Sequence, residues 1–127
     1  MSKVVEIFEV GPRDGLQNEK TNINTADKIK LIDALSECGI KKIEVSSFVS
    51  SKWIPQLADA KYVFENITRN SSVKYTALTP NMKGLNAAKS ANVDEVAVFA
   101  AASETFSLKN INCSIEESFE RFHPLIF

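Results

Sequence analysis

Short apolar, β-branched runs alternate with amphipathic helical patterns along the whole chain, and that alternation restricts the fold more than any other feature. Strands apolar enough to be covered on both faces, each followed by a helix, call for a parallel sheet with helices packed outside it. The strand-like runs lie at 4–10, 41–45, 73–78 and 95–101. From Thr25, Leu31, Leu35 and Cys38 recur at i, i+4 and i+7, with Ile29 and Ile32 widening the stripe. Asn24 or Thr25 caps this helix, Asp27 favours its positive end, and Gly39 supplies a left-handed stop. Pro55 suits a first helical turn and precedes Leu57, Ala60, Phe64 and Ile67 on one face. Thr79-Pro80-Asn81 leads into a third helix around 82–91. Ser114 and Glu117 form a capping-box pattern opening a helix with Ile115, Phe119, Phe122 and Ile126 on one side, which Pro124 should kink or end.

Four βα units make either a small open α/β sheet or half of a (β/α)8 barrel, and a complete barrel takes ~250 residues. The chain has 127 residues, no fifth strand pattern follows the last helix, and Phe127 falls within an amphipathic segment. The expectation is therefore an α/β fold, the N-terminal (βα)4 half of a TIM barrel, forming one partial domain over 1–127 truncated at its C-terminal end. Apolar residues make up 44% and charged residues 24%, which a buried core needs and a disordered chain lacks. Lys and Arg number 15 against 16 Asp and Glu, so net charge favours neither a nucleic-acid nor a membrane partner. Four glycines leave no material for a glycine-rich phosphate loop. Cys38 and Cys113 form no CxxC pair, which fits a reducing compartment. The segment after Met1 is charged, with no long apolar stretch, and reads as that of a cytoplasmic protein. A single histidine, His123, cannot build a His-rich metal site, so any metal bound by this chain depends on carboxylates and carbonyls.

In a parallel α/β fold the C-terminal ends of the strands face the ligand, so loops beginning at Gly11, Ser46, Thr79 and Ala102 share one mouth. The first carries Arg13 and Asp14. A guanidinium suits a carboxylate or enolate oxygen, and a carboxylate suits a divalent cation; the alternative is a surface ion pair at a turn closed by Gly15. Glu44 lies inside an apolar strand, where a buried carboxylate requires a partner. If Ile43 and Val45 face the helices, Glu44 points into the mouth toward Arg13; the alternative is an edge-strand glutamate in water. Ser46, Ser47, Gln17 and Asn18 add neutral polar groups to the rim, and Lys20 adds a second cation. Asn110, Asn112 and Ser114 read as loop and cap residues, His123 as a late-helix residue away from the mouth. Cys38 is expected on the core face of the first helix and Cys113 just before the last helix. Trp53 and Phe48 either roof a pocket or simply pack.

The run Gly11-Pro12-Arg13-Asp14-Gly15-Leu16-Gln17-Asn18-Glu19, then Ile43-Glu44-Val45-Ser46-Ser47-Phe48-Val49 and Leu78-Thr79-Pro80-Asn81, resembles the hydroxymethylglutaryl-CoA lyase family. Ala101-Ala102-Ser103-Glu104 and the stretch Asn110-Ile111-Asn112-Cys113-Ser114-Ile115-Glu116-Glu117-Ser118 extend the resemblance to nearly the whole chain. It implies a TIM-barrel domain of the pyruvate carboxyltransferase/HMGL-like type and a retro-Claisen cleavage of 3-hydroxy-3-methylglutaryl-CoA to acetyl-CoA and acetoacetate, serving leucine breakdown or ketone-body formation. It also implies that Asp14 binds a divalent Mg or Mn ion, that Arg13 stabilises the enolate, and that Glu44 orients Arg13. By the same resemblance, Gln17 and Ser47 are expected to touch the acyl group and Lys20 to meet the CoA part. The family's His-x-His pair, metal-binding asparagine and glycine-loop cysteine belong to the second half of the barrel and match nothing here. The implied partners are thus an acyl-CoA, the missing C-terminal half-barrel and, at full length, a second copy in a homodimer, with the chain inactive alone. Claisen-condensing acyltransferases of the isopropylmalate or homocitrate synthase type share Arg-Asp-Gly but usually carry Glu before the Gln, where this chain has Leu16. A non-catalytic half-barrel that pairs copies over its open strand edges is the alternative of another class.

Overall fold

A computed structural model describes residues 2–127. Its elements run β1 (Phe8–Glu9), α1 (Thr25–Ser36), β2 (Lys42–Ser47), α2 (Ala60–Asn66), β3 (Lys74–Leu78), α3 (Met82–Ser90), β4 (Glu95–Ala97), α4 (Glu104–Ile111) and α5 (Ile115–Ile126). The four strands are parallel in the order β1-β2-β3-β4. Consecutive strands as neighbours, with a helix in each connection, make the arc expected of half a barrel.

The core lies between the sheet and α1 and α2. Ile43 and Val45 of β2 and Tyr75 and Ala77 of β3 meet Ile32, Val63, Phe64 and Ile67 there. Between β2 and β3, Glu44 faces Thr76 while Ser46 faces Ala77, so Val45 is the extra residue of a bulge. The Tyr75 hydroxyl is buried but bonded to Ser36 Oγ at 2.9 Å and to the Asn70 amide at 2.8 Å. The α2 face matches its sequence pattern: Leu57, Ala60, Phe64 and Ile67 are all buried, although Pro55 opens a separate short turn, Pro55–Leu57, ahead of the helix.

Several expectations change. In α1 the buried positions are Lys28, Ile32 and Ser36, while Leu31 and Cys38 are exposed; Cys38 lies beyond the helix, its Sγ 3.2 Å from the Ala34 carbonyl. A buried lysine rotates the stripe, because its charge finds a partner inside the fold. Asn24 is the cap, accepting from the Asp27 amide at 2.8 Å, and Gly39 takes a φ of +80°. The first strand contracts to Phe8–Glu9, with Val4 and Val5 exposed, because β1 has only β2 beside it. The fourth ends at Ala97 rather than near 101, and α4, for which the periodicity offered no prediction, follows it. Helix α5 carries the expected capping box but runs through Pro124 to Ile126. The carbonyl denied a donor by proline is that of exposed Glu120, near the helix end, where water can satisfy it. On the expected α5 stripe Phe122 is buried, its ring 5.9 Å from Phe99, whereas Phe119 and Ile126 are exposed.

Candidate active site

The strand C-termini and the loops that follow them surround one open cleft of about 1280 Å³. After β1 the chain enters a single wide helical turn, Gly11–Gly15, with Pro12 buried at its start. The amides of Arg13 and Asp14 both donate to the Val10 carbonyl, at 3.1 and 2.7 Å, so the turn fixes the two side chains side by side. Asp14 is in turn braced by Asn18, whose Nδ2 donates to its carbonyl at 2.8 Å.

Arg13 is the centre of the cluster. Its Nε donates to Glu44 Oε1, and its Nη1 lies 3.2 Å from Asp14 Oδ1 and 3.4 Å from Gln17 Oε1. Glu44 is 3% exposed, which decides between the two sequence readings: the strand turns its carboxylate away from water and onto the guanidinium. The Asp14 carboxylate, by contrast, is 55% exposed and available to a ligand in the cleft. Lys20 lines the same cleft, as does Ser47, whose Oγ donates to the Leu78 carbonyl at 3.1 Å.

Other candidates separate. Ser46 is buried, and Asn18 serves the turn itself. Asn110 and Asn112 line the cleft, Asn112 ending α4 at a φ of +54°, while Ser114 caps α5. Trp53 stands exposed on the rim, but Phe48 stacks on Phe64 at 5.7 Å, so only the tryptophan is part of a roof. His123 is exposed on α5 beside Phe127, and Cys113 is buried with its carbonyl held by Ser107 Oγ at 2.6 Å. Among the described residues, no group of three or more His, Cys, Asp or Glu could hold a metal ion by itself. Sequence reasoning singled out neither Gln56, which holds the loop after Lys20, nor Arg121, about 20 residues beyond the last strand pattern's end at about 101. Neither lies in a motif, and only Pro55 next to Gln56 marked its neighbourhood.

An HMGL-like family model matches residues 4–127. The chain belongs to the HMGL-like family. It is 58% identical over 126 residues to the 3-hydroxy-3-isohexenylglutaryl-CoA/hydroxy-methylglutaryl-CoA lyase of Pseudomonas aeruginosa, covering 99% of this chain and 42% of that protein. Against the human mitochondrial hydroxymethylglutaryl-CoA lyase it is 56% identical, covering 99% and 39%. The crystal structure of an HMG-CoA lyase from Acinetobacter baumannii, in complex with coenzyme A and 3-methylmalate, superposes with a TM-score of 0.93 at 41% identity, covering 99% of this HMGL-like chain and 42% of that one. The chain thus spans about two fifths of the length of the curated relatives it matches. HMGL-like relatives are named as both cytoplasmic and mitochondrial forms, so the family does not select the cytoplasm. No helix of the described residues is long and apolar enough to cross a membrane.

Proposed function

We propose that this chain carries the Arg13, Asp14 and Glu44 portion of an enzyme that cleaves 3-hydroxy-3-methylglutaryl-CoA to acetyl-CoA and acetoacetate. The observation that carries the reading is the guanidinium of Arg13, locked to buried Glu44 and beside the open carboxylate of Asp14 at the cleft mouth. In the reaction the substrate's tertiary hydroxyl loses its proton, its oxygen becomes the ketone of acetoacetate, and the adjacent carbon–carbon bond breaks. The released electron pair forms the enolate of acetyl-CoA, which is then protonated at carbon.

Arg13 acts where the negative charge grows, on the thioester oxygen. A preorganised cation there stabilises the transition state by several kcal/mol (about 3–4 for one well-placed donor), because it needs no rearrangement during the step. Glu44 occupies Nε, leaving the Nη edge for Asp14, Gln17 and substrate. Gln17 and Ser47 are assigned to the acyl group and Lys20 to the anionic CoA portion. The hard, exposed oxygens of Asp14 fit one ligand position of a Mg or Mn ion. When bound, such an ion supplies Lewis acidity toward the hydroxyl and carboxylate of the substrate. The family's other ligands have no counterpart in this sequence, in keeping with a site completed by the C-terminal half-barrel. The relatives' printed names and the coenzyme A in the Acinetobacter structure support the substrate class. A role in leucine catabolism or ketone-body formation and a homodimer at full length belong to the same proposal.

The test is an assay of acetyl-CoA and acetoacetate release with Mg or Mn present. The chain at the length of its relatives is expected to cleave the substrate, with Arg13→Gln lowering kcat by about 10²–10³. Residues 1–127 alone are expected to give no turnover. Failure of the full-length protein to cleave, or family-like turnover by the 127 residues, overturns the corresponding part.

A further inference from the structure

Within the stretch from Lys20 to Ile23, which belongs to no helix or strand, Lys20 and Asn22 line the cleft. Among the described residues, the polar ties of this stretch to the rest of the fold run to one side chain. Gln56 Nε2 donates to the Thr21 carbonyl at 2.9 Å, and Gln56 Oε1 accepts from the Ile23 amide at 2.9 Å. A carboxamide is the side chain that can do both at once, since it presents a donor and an acceptor on one rigid plane.

Gln56 is itself seated by buried charge. It is buried, and its carbonyl accepts a hydrogen bond from Lys28 Nζ. Lys28, also buried, pairs with Asp59 at 2.9 and 3.1 Å, and Asp59 accepts from Thr25 Oγ1 at 2.6 Å. A lysine buried on a helix face is costly unless its donors are used, and here they tie α1 to the Pro55–Leu57 turn. The line of contacts therefore runs from α1 through Lys28 to the backbone of Gln56, and from its carboxamide to the residues just after Lys20. Arg13 and Asp14 are held separately, through the Val10 carbonyl and Glu44.

We propose that Gln56, seated by Lys28 and Asp59, is a positioning residue that sets where Lys20 presents its ammonium at the cleft rim. It thereby governs affinity for the anionic part of an acyl-CoA rather than the rate of bond cleavage. The inference rests on the substrate class proposed above.

Gln56→Met keeps the volume and removes both hydrogen bonds; Gln56→Glu keeps an acceptor alone. In the full-length protein, Gln56→Met is expected to raise KM about tenfold, with kcat within about twofold, and to speed exchange of the Ile23 amide about tenfold while β2 amides are unchanged. Gln56→Glu should lie between the variant and the parent. Adding Gln56→Met to Lys20→Ala should raise KM little further, because both act on one contact. A matching fall in kcat, fully additive KM effects, or an unchanged Ile23 exchange rate overturns the proposal. Should Gln56→Met not fold, Gln56→Glu decides by the same readouts. If the parent binds coenzyme A but cleaves nothing, the functional reading fails, and the same comparison made on coenzyme A affinity by calorimetry decides the role of Gln56. If coenzyme A does not bind at all, both fail.

Discussion

Glu44 accepts a hydrogen bond from Nε of Arg13, a residue 31 positions earlier, and the carboxylate is almost wholly out of water while the guanidinium is 18% exposed. Two desolvated opposite charges stabilise the fold only while both are present, because either alone is left unpaired.

Glu44→Gln is expected to lower stability by about 1–3 kcal/mol, less than for a fully buried pair because Arg13 keeps some access to solvent. Glu44→Ala should cost more, since it also leaves a cavity. Urea unfolding measures both, and a midpoint unmoved by Glu44→Gln would show that the pair contributes no stability.

At Gly84, inside α3, close packing overrides helix propensity. A Cβ there would lie 2.8 Å from the Phe48 carbonyl oxygen and 3.2 Å from Pro80 Cδ. Alanine gains about 1 kcal/mol of helix propensity, but displacing a backbone carbonyl typically costs about 1–3 kcal/mol. Gly84→Ala should therefore destabilise, and a thermal midpoint above that of the parent would refute the close packing of α3 on the β2 loop.

At the opposite ends of the strands from the cleft, Lys42 and Lys74 both approach Glu95, at 2.8 and 3.1 Å. The hydrogen bond from Lys42, and then that from Lys74, hold the Glu95 carboxyl below its ordinary 4.5; the hydrogen bond to Glu95 holds the Lys42 ammonium above its ordinary 10.5. The Glu95 contribution is therefore present above pH 4.5 and disappears as pH falls through the lowered value. The Lys42 contribution is present below pH 10.5 and disappears as pH rises through the raised one. Glu95→Gln should flatten both flanks of a stability-versus-pH curve, and added salt should shrink the difference because the groups are partly solvated. A flank unchanged by Glu95→Gln would remove this cluster as its cause.

Arg69 closes the C-terminus of α3. Its Nη1 donates to the Asn92 carbonyl at 2.6 Å and its Nη2 to the Ala91 carbonyl at 2.9 Å. These are carbonyls the helix cannot satisfy, at the end of its dipole that attracts cations. Arg69→Met should cost about 1–3 kcal/mol. Arg69→Lys restores the charge without the fork and should recover only part of that loss; equal midpoints for Arg69→Lys and the parent would mean that charge alone suffices.

The legible parts of this molecule share a cause. Glu44 could be read as a partner for Arg13 because strand alternation isolates a carboxylate among apolar neighbours, and the α2 stripe was readable because its anchors are all apolar. Lys28 was hidden for the opposite reason. Its polarity excludes it from any hydrophobic stripe, and its burial is offset by Asp59 and the Gln56 carbonyl, both far along the chain. Strand length misled likewise: Val4 and Val5 favour extension, yet pairing needs a neighbour, and β1 has one only at Phe8 and Glu9.

The order of the four strands with α1, α2, α3 and α5, the cap at Ser114, the left-handed Gly39 and the Arg-Asp-Gly turn follow from the sequence by itself, since each depends on residues a few positions apart. Tertiary structure decided the rest: that Glu44 meets Arg13, that Gln56 holds the loop after Lys20, and that Leu31 and Cys38 face water. These depend on which distant groups arrive at the same place, and a charge or amide changes from costly to stabilising only when its partner is there.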